Sequence, residues 1–423
     1  MEINIKDGYK ITEVGVIPDD WDVKKLGDIA LVSSGGTPNR SNLSYWNGNI
    51  PWITTSQIDF NTIISSNEFI TELGLKNSSA KMYYQDTLLM AMYGQGKTRG
   101  KVGILGIDAT INQACAAITI NKDVYNNYVF FYLANNYEEI RKLSNTGNQE
   151  NLNGNIIKSI FIPLPPVSEQ KAIAHALSDV DNLITAIDQL ITKKRNIKQG
   201  TMQQLLTGKK RLPGFSGEWE VKKLGDIGKF KNGINKGKED FGFGYPFVNL
   251  LDIFGQTRLS NNLSLGLVNS SQKERNDYDL RKGDILFVRS SVKPEGVGLT
   301  SVVLEDLNNS VYSGFLIRFR DFDLLDLGYK QYCFYEECFR KAIIDSSTVS
   351  ANTNINQDAL KNLEIKFPPT IEEQKAIAEI LNDIDKEIEA LEKNRDKYKA
   401  IKQGMMQELL TGKTRIQIPD FCN

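Results

Sequence analysis

The residues best suited to chemistry lie in GQGKT, residues 94–98, because glycine, lysine and threonine together can grip a phosphate. A phosphate loop requires Gly, four residues, then Gly-Lys-Ser/Thr, and the first glycine would fall at position 91, which is Ala91. The pattern fails, and no nucleotide site is expected. The loop still presents Gln95, Lys97, Thr98, Arg99 and Lys101 after the apolar run DTLLMAMYG. Such groups make phosphate and base-edge hydrogen bonds, Arg and Lys to guanine, Gln or Asn to adenine. A similar apolar run, DILFVRSS, ends in Arg289, Ser290, Ser291 and, two residues on, Lys293.

Nothing else in the chain supplies a reaction. There is no Asn/Asp-Pro-Pro-aromatic tetrapeptide to hold a flipped base, and no strand leading into a Rossmann-type glycine cluster. No Asp…Glu-X-Lys nuclease arrangement with strand context appears. The one histidine, His175, and the cysteines Cys115, Cys333, Cys338 and Cys422 lack metal spacing. Cys333 and Cys338 read as buried small apolar residues, His175 as exposed, and Asp179, Asp181 and Asp188 as solvated helix surface. The chain reads as a recogniser without its own catalysis.

The elements that position these loops come in pairs. SEQKAIAHALSDVDNLITAIDQLITKKRNIKQGTMQQLLTGKKR begins at Ser168 and EEQKAIAEILNDIDKEIEALEKNRDKYKAIKQGMMQELLTGKTR at Glu372. Glu373 lies 204 positions after Glu169, as Lys402 does after Lys198, so the two align without a gap. In the first, Ile173, Leu177, Val180, Ile184, Ile187 and Ile191 step by fours and threes; Ile377, Leu381, Ile384, Ile388 and Leu391 do so in the second. That spacing predicts two long helices, each with a coiled-coil seam. Prolines 165, 166, 368 and 369 precede the helices, Thr370 and Glu373 have capping-box spacing, and Gly208 and Gly412 sit where C-terminal caps belong. A helix over residues 169–206 would span roughly 57 Å at 1.5 Å per residue.

The duplication extends further, since WDVKKLGDIA at Trp21 returns as WEVKKLGDIG at Trp219. One unit of about 200 residues therefore occurs twice, as domain duplication rather than a solenoid. WNGNIPWITTSQI reads as a turn feeding a strand, and YPFVNLLDI answers it in the second copy. Each copy adds an aromatic helical segment (YVFFYLANNYEEIRK, YKQYCFYEECFRK), a polar loop and a last strand before the prolines. Helices and Trp blocks match almost letter for letter, whereas the polar loops diverge.

Composition bounds the partners. At 423 residues the chain suits two or three domains, and its 40% hydrophobic and 24% charged content is that of a globular protein. No signal-like start and no apolar run near 20 residues appears, so a cytoplasmic location is expected. The net charge of −1 excludes a uniformly basic surface and leaves room for a local one. Residues 193–211 carry Lys193, Lys194, Arg195, Lys198, Lys209, Lys210 and Arg211 without an acid, either as a nucleic-acid patch or as a solvated helix end.

With its paired EQKAIA and LLTGK blocks, GGTP…YWNGNIPWITTSQI, GKVGIL and INQACA, the chain resembles the DNA-specificity subunit of a type I restriction-modification system over essentially its whole length. The resemblance implies an α+β fold: two similar mixed α/β target-recognition domains separated by two long helices in an antiparallel coiled coil, with pseudo-two-fold symmetry. The expected division is a first recognition domain at 1–166, a spacer helix at 167–208, a second domain at 209–369, a second helix at 370–415 and a tail at 416–423. It adds Thr37, Arg40, Asn112, Gln113, Asn148 and Gln149 as expected DNA contacts in the first copy, and Lys236, Lys238, Tyr312, Ser313, Asn352 and Asn354 in the second. The second copy departs from the GGTP and GKVGIL wording, with KNGINKGK and GVGLTS in their place. The implied partners are double-stranded DNA, two modification subunits that use S-adenosylmethionine, and restriction subunits that use ATP and Mg; no cofactor is expected on this chain and no membrane partner. The alternative reading is an assembly adaptor whose helices and domains bind only protein.

Overall fold

The computed structural model describes residues 7–94, 96–144 and 151–416. They form two compact units, one comprising residues up to 187 with those from 394 onward, the other spanning 188–393. Each unit thus holds one mixed α/β body, the first half of the helix that follows it in sequence, and the second half of the other long helix.

In the first unit, a five-stranded sheet runs Ala30–Ser34, Cys115–Ile120, Leu88–Ala91, Val102–Leu105, Thr62–Ile63. Leu88–Ala91 is apolar at all four positions and buried at all four, as a central strand covered on both faces must be. A second sheet runs Glu68–Ile70, Trp46–Ile53, Ala109–Ile111, Met82–Tyr83. The second unit repeats the five-strand order as Gly228–Asn232, Leu316–Asp321, Ile285–Val288, Thr300–Val303, Arg258–Leu259. Its second sheet has three strands, Gly266–Val268, Phe241–Val248 and Val311–Tyr312. A third sheet, Ser290–Ser291, Thr353–Asn354, Thr348–Val349, is built from two of the polar loops. The last strand of each body pairs antiparallel with the strand after its Trp: Phe161–Leu164 with Asp22–Lys25, and Glu364–Phe367 with Glu220–Lys223.

Two local expectations are corrected. WNGNIPW is strand throughout (Trp46–Ile53), with a register shift between Trp46 and Ile50, and Phe241–Val248 shifts between Phe241 and Tyr245 at the matching place. The extra residues are absorbed as a β-bulge instead of a turn. Each aromatic helical segment is two short helices, Asn126–Asn135 with Tyr137–Lys142 and Leu327–Cys333 with Glu337–Asp345. In the second copy Glu336 causes the break, its carboxylate accepting from the Phe339 N–H as an N-cap.

The long helices are Val167–Leu205 and Ile371–Leu409. Ile173, Leu177, Ile184, Ile187, Ile191, Ile377, Leu381 and Ile388 are buried, as the seam requires, while Val180, Ile384 and Leu391 are half-buried. The helices run antiparallel where they meet in the second unit, because Lys194 pairs with Glu387 and Lys198 with Asp385 while Arg211 reaches back to Glu373. Beyond Ile191 the seam spacing passes through Lys194 and Lys198, so ion pairs take over from apolar contact. In the first unit the equivalent pair is Lys402 with Asp181, at 2.6 Å. The basic run at 193–211 is therefore largely spent on the partner helix: Lys194, Arg195, Lys198 and Arg211 all have acidic partners there.

The repeated EQ and LLTGK blocks form a latch. Glu169 is 3% exposed and receives Arg415 Nε at 2.6 Å, and Trp21 Nε1 donates to its other oxygen at 3.2 Å. Glu373 receives Arg211 Nε at 2.6 Å in the same way. Thr370 does accept from the Glu373 N–H at 3.4 Å, but the Glu373 carboxylate serves Arg211, so only half of the expected capping box forms. Gln170 and Gln374 donate to the carbonyls of Pro165 and Pro368 at 2.8 and 3.0 Å. Gly208 and Gly412 both have φ of 70°, the left-handed cap expected of them, and a Cβ at 412 would strike Pro18. Just before each cap, Leu205 and Leu206 lie in the core of the second unit, and Met406, Leu409 and Leu410 in that of the first.

Candidate nucleic-acid interface

The polar loops singled out by sequence converge on one end of each five-stranded sheet. In the first unit the Gly36 N–H donates to Ile111 O at 2.9 Å, Met92 N–H to Ala114 O at 2.9 Å, and Leu152 N–H to Met92 O at 3.0 Å. These bonds bring the turn at 35–40, the loop after Leu88–Ala91, the turn at 111–115 and the strand-side end of the 151–153 segment together. In the second unit Ile234 N–H donates to Tyr312 O at 2.9 Å, Arg289 N–H to Phe315 O at 2.8 Å, and Ile355 N–H to Arg289 O at 2.9 Å. The frame is the same in both. Gly35 and Gly233 make it possible, since a Cβ on either would collide with the backbone of the facing turn.

Within the first unit, Lys97 is exposed and Thr98 half-buried, on a loop held from behind by the Tyr137–Lys142 helix. Tyr137 OH donates to Lys97 O, and Arg141 Nη2 donates to Gly96 O at 2.6 Å. Sequence reasoning missed this pair, whose only signal is an aromatic and a cation at i and i+4. Lys101 pairs with Asp59 at 2.5 Å. Thr37 donates to Gln113, which is exposed, and the Asn112 side chain accepts from Ala114 N–H at 3.2 Å, shaping the turn that presents it. Arg40 lies over Trp46 and Trp52, 4.0 and 4.7 Å from the ring centroids, and pairs with Glu68. Arg99 is 7% exposed, so most of its side chain is covered by the domain. Gln95, Asn148 and Gln149 lie outside the described residues.

In the second unit, Lys238, Lys293 and Asn352 are exposed at the converged end. Lys236 pairs with Glu274 at 2.8 Å, and its hydrogen bond, followed by that from Ser271, holds the Glu274 carboxyl below its ordinary value. Arg289 is half-buried, with Nη1 donating to Gly314 O at 3.4 Å. Ser290 faces Asn354 in the small third sheet, and Asn354 Nδ2 donates to Asn352 O at 2.9 Å. Three of the expected contacts are buried. Tyr312 is wholly buried, which pushes its phenol up, and it donates to Lys231 O at 3.1 Å; it supports the loop from inside. Ser313 accepts from Phe315 N–H at 3.3 Å and Ser291 from Lys293 N–H at 3.3 Å, so both hydroxyls shape turns. Absent from the expected contacts are Val292, Phe315 and Val349, exposed by 81, 57 and 77% at this same end.

Of the remaining titratable groups, His175 is exposed as expected, with Tyr125 OH 3.2 Å from its Nε2. Cys333 is buried, but Cys338 is exposed, because it lies on the outward face of the Glu337–Asp345 helix. Among the described residues no cluster of three or more His, Cys, Asp or Glu could hold a metal, and no helix is long and apolar enough to cross a membrane.

Two similar mixed-sheet bodies, paired long helices and polar loops gathered at one sheet end define a duplicated recognition protein. Comparison with known proteins makes the class specific. The family described as type I restriction modification DNA specificity domain matches residues 18–198 and again 216–400. This chain belongs to that family. It is 30% identical to the MjaIX specificity subunit of Methanocaldococcus jannaschii, over 57% of this chain and 60% of that protein. It is 25% identical to the MjaVIII specificity subunit of the same organism, over 96% and 95%, and 21% identical to the EcoKI specificity subunit of Escherichia coli K12, over 97% and 93%. In fold it is similar to the type I restriction-modification S subunit of M. genitalium, with a TM-score of 0.55 at 14% identity over 97% of this chain and 98% of that one.

Proposed function

We propose that this specificity subunit reads an asymmetric, bipartite DNA site, with residues 1–166 and 209–369 as recognition domains for one half-site each and the long helices setting the unread spacer. Binding directs adenine methylation by two modification subunits, which use S-adenosylmethionine, and cleavage by restriction subunits, which use ATP and Mg. The complex would act in the cytoplasm. The observation that carries this reading is the shared backbone frame at the sheet end in both units, dressed with unlike side chains. A symmetric dimer reads a palindrome; two unlike loop sets on one frame suit two unlike half-sites. Lys97 and Gln113 are the first domain's foremost contacts, with Thr37 and the turn shaped by Asn112 holding Gln113 in place, and Lys238, Lys293 and Asn352 are the second's.

Salt separates this from an adaptor that binds only protein. Duplex affinity of the assembled complex is expected to fall linearly on a log–log plot, with a slope of about 0.9 per phosphate neutralised. Lys97→Ala or Lys293→Ala would each reduce that slope by about one. An assembled complex with no salt-dependent affinity for duplex DNA would favour the adaptor.

A further inference from the structure

The turns at the converged ends are matched residue for residue. Ile111 and Tyr312 take equivalent places, paired in parallel with Ile53 and Val248. The next residue in each, Asn112 or Ser313, donates its N–H at 2.9 Å to the carbonyl of that partner. Two residues later Ala114 or Phe315 accepts from Met92 or Arg289 N–H, at 2.9 and 2.8 Å. On this common frame the first unit sets out the amide of Gln113, beside the small side chain of Ala114. The second has Gly314 in place of Gln113 and sets out the ring of Phe315.

Single exposed apolar side chains are ordinary. Here three occur on the converged loops: Phe315, where the first unit has the small Ala114, Val292 directly after the Ser290–Ser291 strand, and Val349 on the strand paired with Thr353. Lys293 and Asn352 flank them and are exposed as well. Cations and amides fit phosphates and base edges. Exposed apolar side chains on the same loops fit the one apolar feature of the major groove, the thymine methyl.

We propose that the two domains read DNA by different chemistry: the first through side-chain hydrogen bonds centred on Gln113, the second through apolar contact of Phe315, Val292 and Val349 with thymine methyl groups. This rests on the reading of the converged loops as DNA contacts. It makes Phe315 a specificity-determining residue of the second half-site.

Deoxyuridine tests it, because it keeps every hydrogen-bonding group of thymidine and lacks only the methyl. The methylated sequence of the assembled wild-type complex would be placed in oligoduplexes with thymines replaced one half-site at a time, and equilibrium affinities compared. Replacement in one half-site is expected to leave affinity unchanged; in the other it weakens binding about fourfold for each methyl contacted. Phe315→Ala should abolish that discrimination, and Phe315→Leu, which keeps an apolar group, should retain part of it. If neither half-site responds to deoxyuridine, or Phe315→Ala leaves the response intact, the proposal is overturned while the bipartite reading stands. If Phe315→Ala instead prevents assembly with the modification subunits, the apolar group is a protein-docking surface and the proposal is equally overturned. A wild-type complex that methylates no defined sequence would remove the bipartite reading and this inference with it.

Discussion

Leu410 lies at the far end of the chain from the first recognition body, yet it is wholly buried in that body's core, with Ile17, Trp21, Tyr128 and Leu177. Leu410→Ala removes side-chain atoms from a packed interior; substitutions of this kind cost about 2–5 kcal/mol, depending on how far the cavity collapses. The neighbours leave little freedom to collapse. Trp21 is held through its indole N–H by Glu169, and Gly412 is packed against Pro18. A value of about 3 kcal/mol is therefore expected, equivalent to a drop of roughly 6–12 °C in the melting of a unit of this size. Hydrogen exchange read by peptide mass would locate the effect. Leu410→Ala should speed exchange across the sheet Ala30–Ser34, Cys115–Ile120 and Leu88–Ala91, and leave Ile285–Val288 and Leu316–Asp321 protected. Leu206→Ala, at the equivalent place, should do the reverse. Loss of protection in the sequence-adjacent second body on changing Leu410, or a change below about 0.5 kcal/mol, would refute the crossed assignment of the helix ends.

Other perturbations test separate parts of the account. Lys330 and Asp321 form an ion pair at 2.5 Å with side chains 5 and 3% exposed; Lys330→Met should cost roughly 3–5 kcal/mol by denaturant titration, and adding Asp321→Leu should recover most of it. The Arg415 hydrogen bond is the main cause holding the Asp20 carboxyl below its ordinary 3.8. A lowered folded value means the unfolded chain takes up the proton first, so this contribution is whole above about pH 4 and disappears as pH falls through the folded value. Asp20→Asn should accordingly lower the first unit's stability at pH 7 and flatten its acid limb, so that the two proteins converge as pH falls through the folded value. An insertion of four residues within one long helix adds about 6 Å at 1.5 Å per residue, so the methylated site should gain one or two spacer base pairs and keep both half-sites. An unchanged spacer, read from the modified DNA, would contradict the ruler role of the helices.

The long helices were legible because their stripe repeats over many turns and their glycine caps have a mechanism independent of tertiary packing. The roles of Glu169 and Glu373 were not. Each reads locally as a first-turn acid, and its partner, Arg415 or Arg211, is remote or on the other repeat's boundary. Side-chain–side-chain bonds across such distances leave no periodicity to find. The converged loops were identifiable as polar segments after apolar strands, but which of their residues face outward was not. Arg99, Tyr312 and Ser313 lie in the same short stretches as exposed Lys97, Gln113 and Phe315, and only the backbone path separates them. Phe315 carries no sequence signal of exposure, since an apolar residue directly before the Leu316–Asp321 strand has the composition of core.

The central claim is that two unlike half-sites are read by two domains of one chain. The direct measurement is to co-express it with its modification subunit in a host lacking adenine methylation and sequence the modified adenines, for the wild type and for Gln113→Ala. The account predicts one asymmetric bipartite motif, relaxed by Gln113→Ala in one half-site only, by about 1–3 kcal/mol of discrimination at the affected position. A palindromic motif, a change in both half-sites, or no methylation from a properly assembled complex would contradict it.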